Sequence, residues 1–176
     1  MEQGDAVVVP LITDALRGVT HSRFFESERG FQAEFLANLR EALPAAGLPG
    51  DAIVEQEYQK RLKEHGIRRR PDIIIHVPTP PGGNRSQGNF AALALKLSAG
   101  VAKAREDFAG LDAILRTLDY PLGVFVNIAS QKTHAEHYRG QFSDRIHCFA
   151  VWRNEGQVHV RHAYYRGTSL VEETAA

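Results

Sequence analysis

The sequence predicts a mixed α/β sandwich, and three observations carry that prediction. Two segments place apolar residues at helical spacing: Phe31, Phe35, Leu36, Leu39 and Leu43 in the first, and Val101, Ala104, Phe108, Leu111, Leu115 and Leu118 in the second. Runs of strand character lie around them, at residues 53–62, 73–77, 90–97 and 122–128. Residues 145–152 and 157–165 then flank Asn154-Glu155-Gly156 as a closing hairpin. Consecutive strands are expected to pair as an antiparallel meander, and a crossover through the second helix returns the fourth strand to the same sheet.

Each element has its own local reason. Ser27 can cap a helix running to about Leu43, which Pro44, Gly47, Pro49 and Gly50 end. The strand at 53–62 alternates Ile53, Glu55, Glu57 and Gln59 with Val54, Gln56, Tyr58 and Lys60, so it belongs at an edge or beside a site. Glu55 and Glu57 are expected to face solvent, with Glu57 within reach of that site. Residues 73–77 form an uninterrupted β-branched run ending at Pro78, as in a strand buried on both faces. The Pro-, Gly- and Asn-rich stretch 79–88 reads as an irregular connection, longer than a tight turn needs. A third strand, 90–97, is rich in alanine, so that periodicity alone leaves a short helix open as the alternative, and 132–141 is a polar stretch with some helical character. One domain is expected over residues 1–166, with 167–176 as a flexible tail.

Composition sets wide limits. The 176 residues suffice for one domain with a real core, and 43% hydrophobic with 24% charged residues is ordinary for a soluble globular protein. Net charge is zero, but Lys60, Arg61, Lys63, Arg68, Arg69 and Arg70 gather in one short stretch with Glu64 as the acid among them. Read as a functional patch, Lys60, Arg61, Arg68, Arg69 and Arg70 would contact phosphates; read blandly, they are a solvated strand and loop. The lone Cys148 excludes an internal disulfide, and its apolar neighbours mark it as a buried structural thiol. Residues 7–12 form a short apolar stretch interrupted by Pro10, with Glu2 and Asp5 where a secretion signal would carry positive charge. No apolar stretch approaches the ~18 residues a membrane span needs, and a cytoplasmic location is expected.

The chemistry-bearing pattern is Asp72, directly after Pro71, opening one strand, with Ala94-Leu95-Lys96 inside the next. Side chains repeat every two residues along a strand, so Ala94 and Lys96 face one way and Leu93 and Leu95 the other. If the two strands are neighbours, Asp72 comes beside that face. A magnesium ion there would want one or two carboxylates together with waters and phosphate oxygens. A nearby lysine would orient water or neutralise charge in a transition state.

These residues resemble the PD-(D/E)xK nuclease superfamily. Arg70-Pro71-Asp72-Ile73-Ile74-Ile75 looks like the family's PD strand and residues 89–96 like its (D/E)xK strand. Lys103, Ala104, Asp107 and Leu111, then Tyr120 and Gly123-Val124-Phe125-Val126, resemble compact stand-alone members. The resemblance covers about residues 27–128. It implies a restriction-endonuclease-like α-β-β-β-α-β core, with a mixed sheet flanked by helices and followed here by the C-terminal β-hairpin. It also implies a Mg2+- or Mn2+-dependent endonuclease acting on nucleic acid, with DNA favoured over RNA and RNA left open. In that reading Asp72 and Lys96 are catalytic, and Asp72 and Glu34 (on the first helix) are metal ligands. A homodimer or partner subunit is left open, and no membrane is involved.

The departure is Ala94, where the family pattern expects a glutamate or aspartate metal ligand. Either the carboxylate was removed from an active parent or the lineage lost it. The first is favoured because every other motif position is intact. Weak metal binding and little or no turnover are expected of this chain. The competing readings are a non-catalytic nucleic-acid-binding or scaffold protein on a degenerate nuclease fold, and an enzyme of another class whose strands mimic the motif. His134 and His137 read as two surface histidines with no carboxylate or cysteine to complete a zinc set, and His147, His159 and His162 as cross-strand packing in the hairpin.

Overall fold

The computed structural model describes residues 3–56, 70–79 and 88–175. Its helices are α1 (Gln3–Arg17), α2 (Glu28–Ala42) and α3 (Val101–Leu118). Its strands are β1 (Ile53–Gln56), β2 (Ile73–His76), β3 (Asn89–Leu97), β4 (Leu122–Ile128), β5 (Ile146–Asn154), β6 (Gln157–Arg166) and β7 (Ser169–Ala175). All seven strands form one sheet in chain order. β1, β2 and β3 pair antiparallel, β3–β4 and β4–β5 pair parallel, and β5, β6 and β7 return to antiparallel.

The expected crossover is therefore present: α3 carries the chain from β3 to a parallel β4. The second parallel pair, β4–β5, is joined by residues 129–145, which hold only short 3-10 turns at Ala135–His137 and Ser143–Arg145. A parallel connection needs a dozen or more residues but not a helix. Here side-chain bonds do the fastening. Asp112 accepts from Tyr138 Oη at 2.8 Å and from Gln141 N at 2.9 Å, and Tyr138 Oη accepts from Phe142 N at 3.0 Å. Burial and the Asp112 bond push the Tyr138 hydroxyl pKa up, so it stays a donor.

The strand period divides the core into two layers. Ile73, Ile75, Leu93, Leu95, Val124 and Val126 join residues of α1 and α2 on one face. On the other face Ile74, Ala92, Ala94 and Phe125 join Ala104, Phe108 and Leu111 of α3. Cys148 lies in this second layer, fully buried, and burial pushes its thiol pKa up.

Two elements differ from expectation. Helix α1 forms through Pro10, because Pro10 lies on its exposed side while Val8, Leu11, Ile12, Ala15 and Leu16 recur at helical spacing and are buried. Residues 169–175, expected in a flexible tail, form β7 and pair with β6 from Arg166↔Ser169 to Val160↔Ala175. Gly167, at φ 62, supplies the turn that lets the chain reverse there. Strand β1 begins at Ile53 as expected and is described to Gln56; the remainder of the expected strand, Glu57 included, lies outside the described residues. The hairpin expected around Asn154-Glu155-Gly156 is present. Glu155 and Gly156 are its two loop residues, and their φ values of 51 and 83 fit a type I′ turn. No helix among the described residues is long and apolar enough to cross a membrane.

Candidate active site

Asp72 sits one residue ahead of β2 and already belongs to the ladder, its N–H donating to Leu93 O at 2.8 Å. Its carboxylate turns across β3, where Oδ2 accepts the N–H of Leu95 at 2.7 Å. That N–H belongs to the peptide joining Ala94 to Leu95, so the Asp72 carboxylate lies beside Ala94. Ala94 is 8% exposed and faces the α3 side of the sheet. Lys96, two residues on, is half-buried.

Lys96 is surrounded by acids. Burial works to lower its pKa, and the carboxylates of Asp107, Asp72 and Glu28 together outweigh burial, so the net shift is upward. The ammonium therefore stays charged at neutral pH. It donates to Glu28 Oε1 at 3.3 Å, while Glu28 Oε2 accepts the N–H of Leu97 at 3.1 Å. Glu28 is the first residue of α2, where the helix dipole favours a negative charge. One turn on, Gln32 donates to the backbone carbonyl of Asp72 at 3.1 Å. Glu28 and Gln32 thus share the helix face that meets the ends of β2 and β3.

Glu34 was expected to approach this group. It is half-buried on α2, while the ion pair that α2 makes with Lys96 comes from Glu28. Six residues beyond Glu28, it is rotated roughly 120° around the helix from it. The acid of α2 that reaches Lys96 is Glu28. The sequence signal for it is its position directly after the Ser27 cap. Ser27 Oγ accepts the N–H of Gly30 at 3.1 Å and so fixes where the first turn starts. Ser27→Ala is expected to cost about 1 kcal/mol of stability in urea unfolding, while leaving secondary structure intact.

Other expected residues fall elsewhere. Glu55 is only partly exposed and is not simply solvated: His76 on β2 is buried, and its Nε2 lies 2.7 Å from Glu55 Oε2. Lys60, Arg61, Arg68 and Arg69 lie outside the described residues, and Arg70 is exposed immediately before Pro71 and Asp72. His134 is corrected from a surface residue to one only 3% exposed, and Glu136 supplies a carboxylate beside it and His137. His147 and His162 are packed across β5 and β6 as expected, Nδ1 to Nε2 at 2.8 Å, and His159 stacks on Trp152.

A metal at Asp72 would find hard oxygen donors, which suit magnesium or manganese. It would also find the Ala94 methyl where a second carboxylate on β3 would stand. The donor chemistry fits, and β3 itself adds no carboxylate to it.

No family model matches the chain, and no curated protein matches it. The fold is similar to that of P. aeruginosa ATCC27853 NucC in its cAAA-bound form, with a TM-score of 0.50 at 10% identity, covering 99% of this chain and 85% of that one. What the two share is the fold: a mixed seven-stranded sheet flanked by helices.

Proposed function

We propose that the chain is a metal-dependent DNA endonuclease in an inactivated form, with Asp72 and Lys96 as its working residues and Ala94 as the missing ligand position. The observation that carries this reading is the Asp72 carboxylate set against the Ala94–Leu95 peptide, with the Lys96 ammonium held among the carboxylates of Asp107, Asp72 and Glu28. Asp72 and an acid of α2 would hold Mg2+ or Mn2+. Glu28 is the acid favoured for that role, over Glu34. When bound, the ion supplies Lewis-acid polarisation of a phosphoryl group and a more acidic water. Lys96, kept protonated by its neighbours, would neutralise charge on the phosphate in the transition state rather than act as a base. Its salt link to Glu28 would have to loosen for Glu28 to turn toward an ion.

Ala94 itself favours a second reading, a nucleic-acid-binding module that no longer cuts. The two part company in a plasmid-cleavage assay with Mg2+ or Mn2+ on this chain and on Ala94→Glu.

Binding is common to both readings and has its own test. Lys60, Arg61, Arg68, Arg69 and Arg70 lead directly into Asp72 in sequence and would bring positive charge to the phosphate backbone. Affinity for duplex DNA is expected to fall with salt, by a logarithmic slope of about 0.9 per phosphate contacted. Arg68→Glu with Arg69→Glu should reduce that slope by about 2 and leave the thermal midpoint unchanged. An unaltered slope in the variant would return the cluster to a solvated loop.

A further inference from the structure

We propose that His134, Glu136 and His137 form a binding site for a zinc-class divalent transition ion, on the β4–β5 crossover and separate from the Asp72–Lys96 group. One ligand atom from each of the three residues lies within 4.8 Å of the other two. His137 Nε2 and Glu136 Oε1 are 3.2 Å apart.

His134 provides the decisive observation. It is 3% exposed, and its Nδ1 is buried with no hydrogen-bond partner. Its Nε2 lies 2.9 Å from Ala99 O. A carbonyl oxygen can only accept, so the ring proton is on Nε2 and Nδ1 carries a bare lone pair. A buried acceptor left without a donor keeps its full desolvation penalty, which a bound cation would remove. A histidine whose N–H is held by a backbone carbonyl while the other nitrogen is free has the tautomer and orientation of a metal-ligating histidine. His134 also holds φ at 58, an uncommon left-handed conformation that aims its ring from the start of the 3-10 turn.

Ring geometry agrees. An ion about 2.0–2.1 Å from one nitrogen of each of two imidazoles keeps their centroids about 5–6 Å apart. The His134 and His137 centroids are 5.8 Å apart. Two imidazoles and one carboxylate make a nitrogen-and-oxygen set that suits zinc, cobalt or nickel better than magnesium. The three residues line a recess of about 420 Å³, which leaves room for a water as fourth ligand. Lys132 and Arg161 line the same recess and oppose a cation, and the Glu172 carboxylate offsets them in part. The Arg161 guanidinium is already turned to Gln131 O at 2.9 Å.

The site's place in the fold suggests what the ion does. Ala99, held by His134, is also gripped by the buried Asn127, whose Oδ1 accepts the Ala99 N–H at 2.8 Å and whose Nδ2 donates to Lys132 O at 2.8 Å. An ion there would fasten the crossover to the connection between β3 and α3, just beyond Lys96.

Chelator-treated full chain titrated with Co2+ is expected to bind one equivalent with visible d–d absorption, displaced by Zn2+. In histidine side-chain 15N NMR the His134 Nδ1 signal should move while Nε2 keeps its proton. His137→Ala and Glu136→Gln should each weaken Co2+ binding by at least about tenfold, and Asp72→Ala should leave it intact. His137 is only partly buried and Glu136 is exposed, so both variants should keep the wild-type circular dichroism. His134→Ala removes a buried side chain and is not the deciding variant. The proposal is overturned if the wild-type chain takes up no Co2+ or Zn2+ at micromolar concentrations. It is equally overturned if uptake persists unchanged in the His137→Ala, Glu136→Gln double variant, or disappears in Asp72→Ala.

Discussion

Ala94→Glu is expected to cleave supercoiled plasmid in Mg2+ or Mn2+ under conditions where the chain with Ala94 leaves it intact, a gain of at least about a hundredfold. The physical reason is charge. Asp72 already has Oδ2 committed to the Leu95 N–H, and Glu28 is engaged by Lys96 and the Leu97 N–H. A doubly charged ion at that place therefore lacks a carboxylate that is not otherwise occupied on β3. A glutamate at 94 would rise from the strand position next to the Asp72 carboxylate, on the side that Lys96 shares. The gain should vanish when Ala94→Glu is combined with Asp72→Ala or with Lys96→Ala, because ion and lysine act on one transition state. Chelator should abolish it as well. Position 94 lies in the layer that holds Ala104 and Phe108, so a longer side chain has to leave outward. Ala94→Asp provides a shorter carboxylate should Ala94→Glu lower the thermal midpoint. If a folded, DNA-binding carboxylate variant cuts nothing across several metals, the binding-module reading replaces the nuclease.

The strands that build the Asp72–Lys96 group were legible because their signal is local. A period of two, read on residues 73–77 and 90–97, already put Ala94 and Lys96 on one face. Strand β4 fell at its expected bounds, and the Ser27 cap was read directly. Relations set by packing were not legible. Which acid of α2 reaches the sheet depends on the helix's rotation about its axis, and Glu28, Glu34 and Glu41 are equally plain in sequence. The carboxylate of Glu136 carries no sequence signal, because neighbouring residues diverge on a regular helix. Here a left-handed His134 entering a 3-10 turn brings 134, 136 and 137 together. Pro10 masked α1, although the apolar spacing beneath it was clear. Strand β7 is an edge strand with mostly exposed residues, so it lacks the alternating burial that marks a strand in sequence.

Stability should fall steeply on acidification, and the His147–His162 pair should account for much of the fall. The two rings meet through one hydrogen bond inside a stack that runs from Phe149, 4.4 Å from His162, to Tyr164, 5.0 Å from it. Burial lowers the His147 pKa to about 3, with the neighbouring His162 adding to it, and burial lowers His162 to about 4. In the unfolded chain both titrate near about 6.5. Above that pH both are neutral in either state, and their contribution is fully present. As pH falls below it, the unfolded chain takes up protons that the folded chain refuses, and stability is lost until the folded values are reached. At pH 4.5 the unfolded chain holds two protons that the folded pair still refuses, so the loss is on the order of 5 kcal/mol. That is a large part of the ~5–15 kcal/mol of a typical domain. Replacing both histidines with phenylalanine keeps the stack and removes both members of the hydrogen bond together, so no buried polar atom is left alone. Urea unfolding at pH 7, 5.5 and 4.5 should show a much flatter decline in the double variant, with the remaining slope due to carboxylates. Equal slopes in the two proteins would mean that the pair is hydrated or already protonated, and that acid sensitivity comes from another place in the fold.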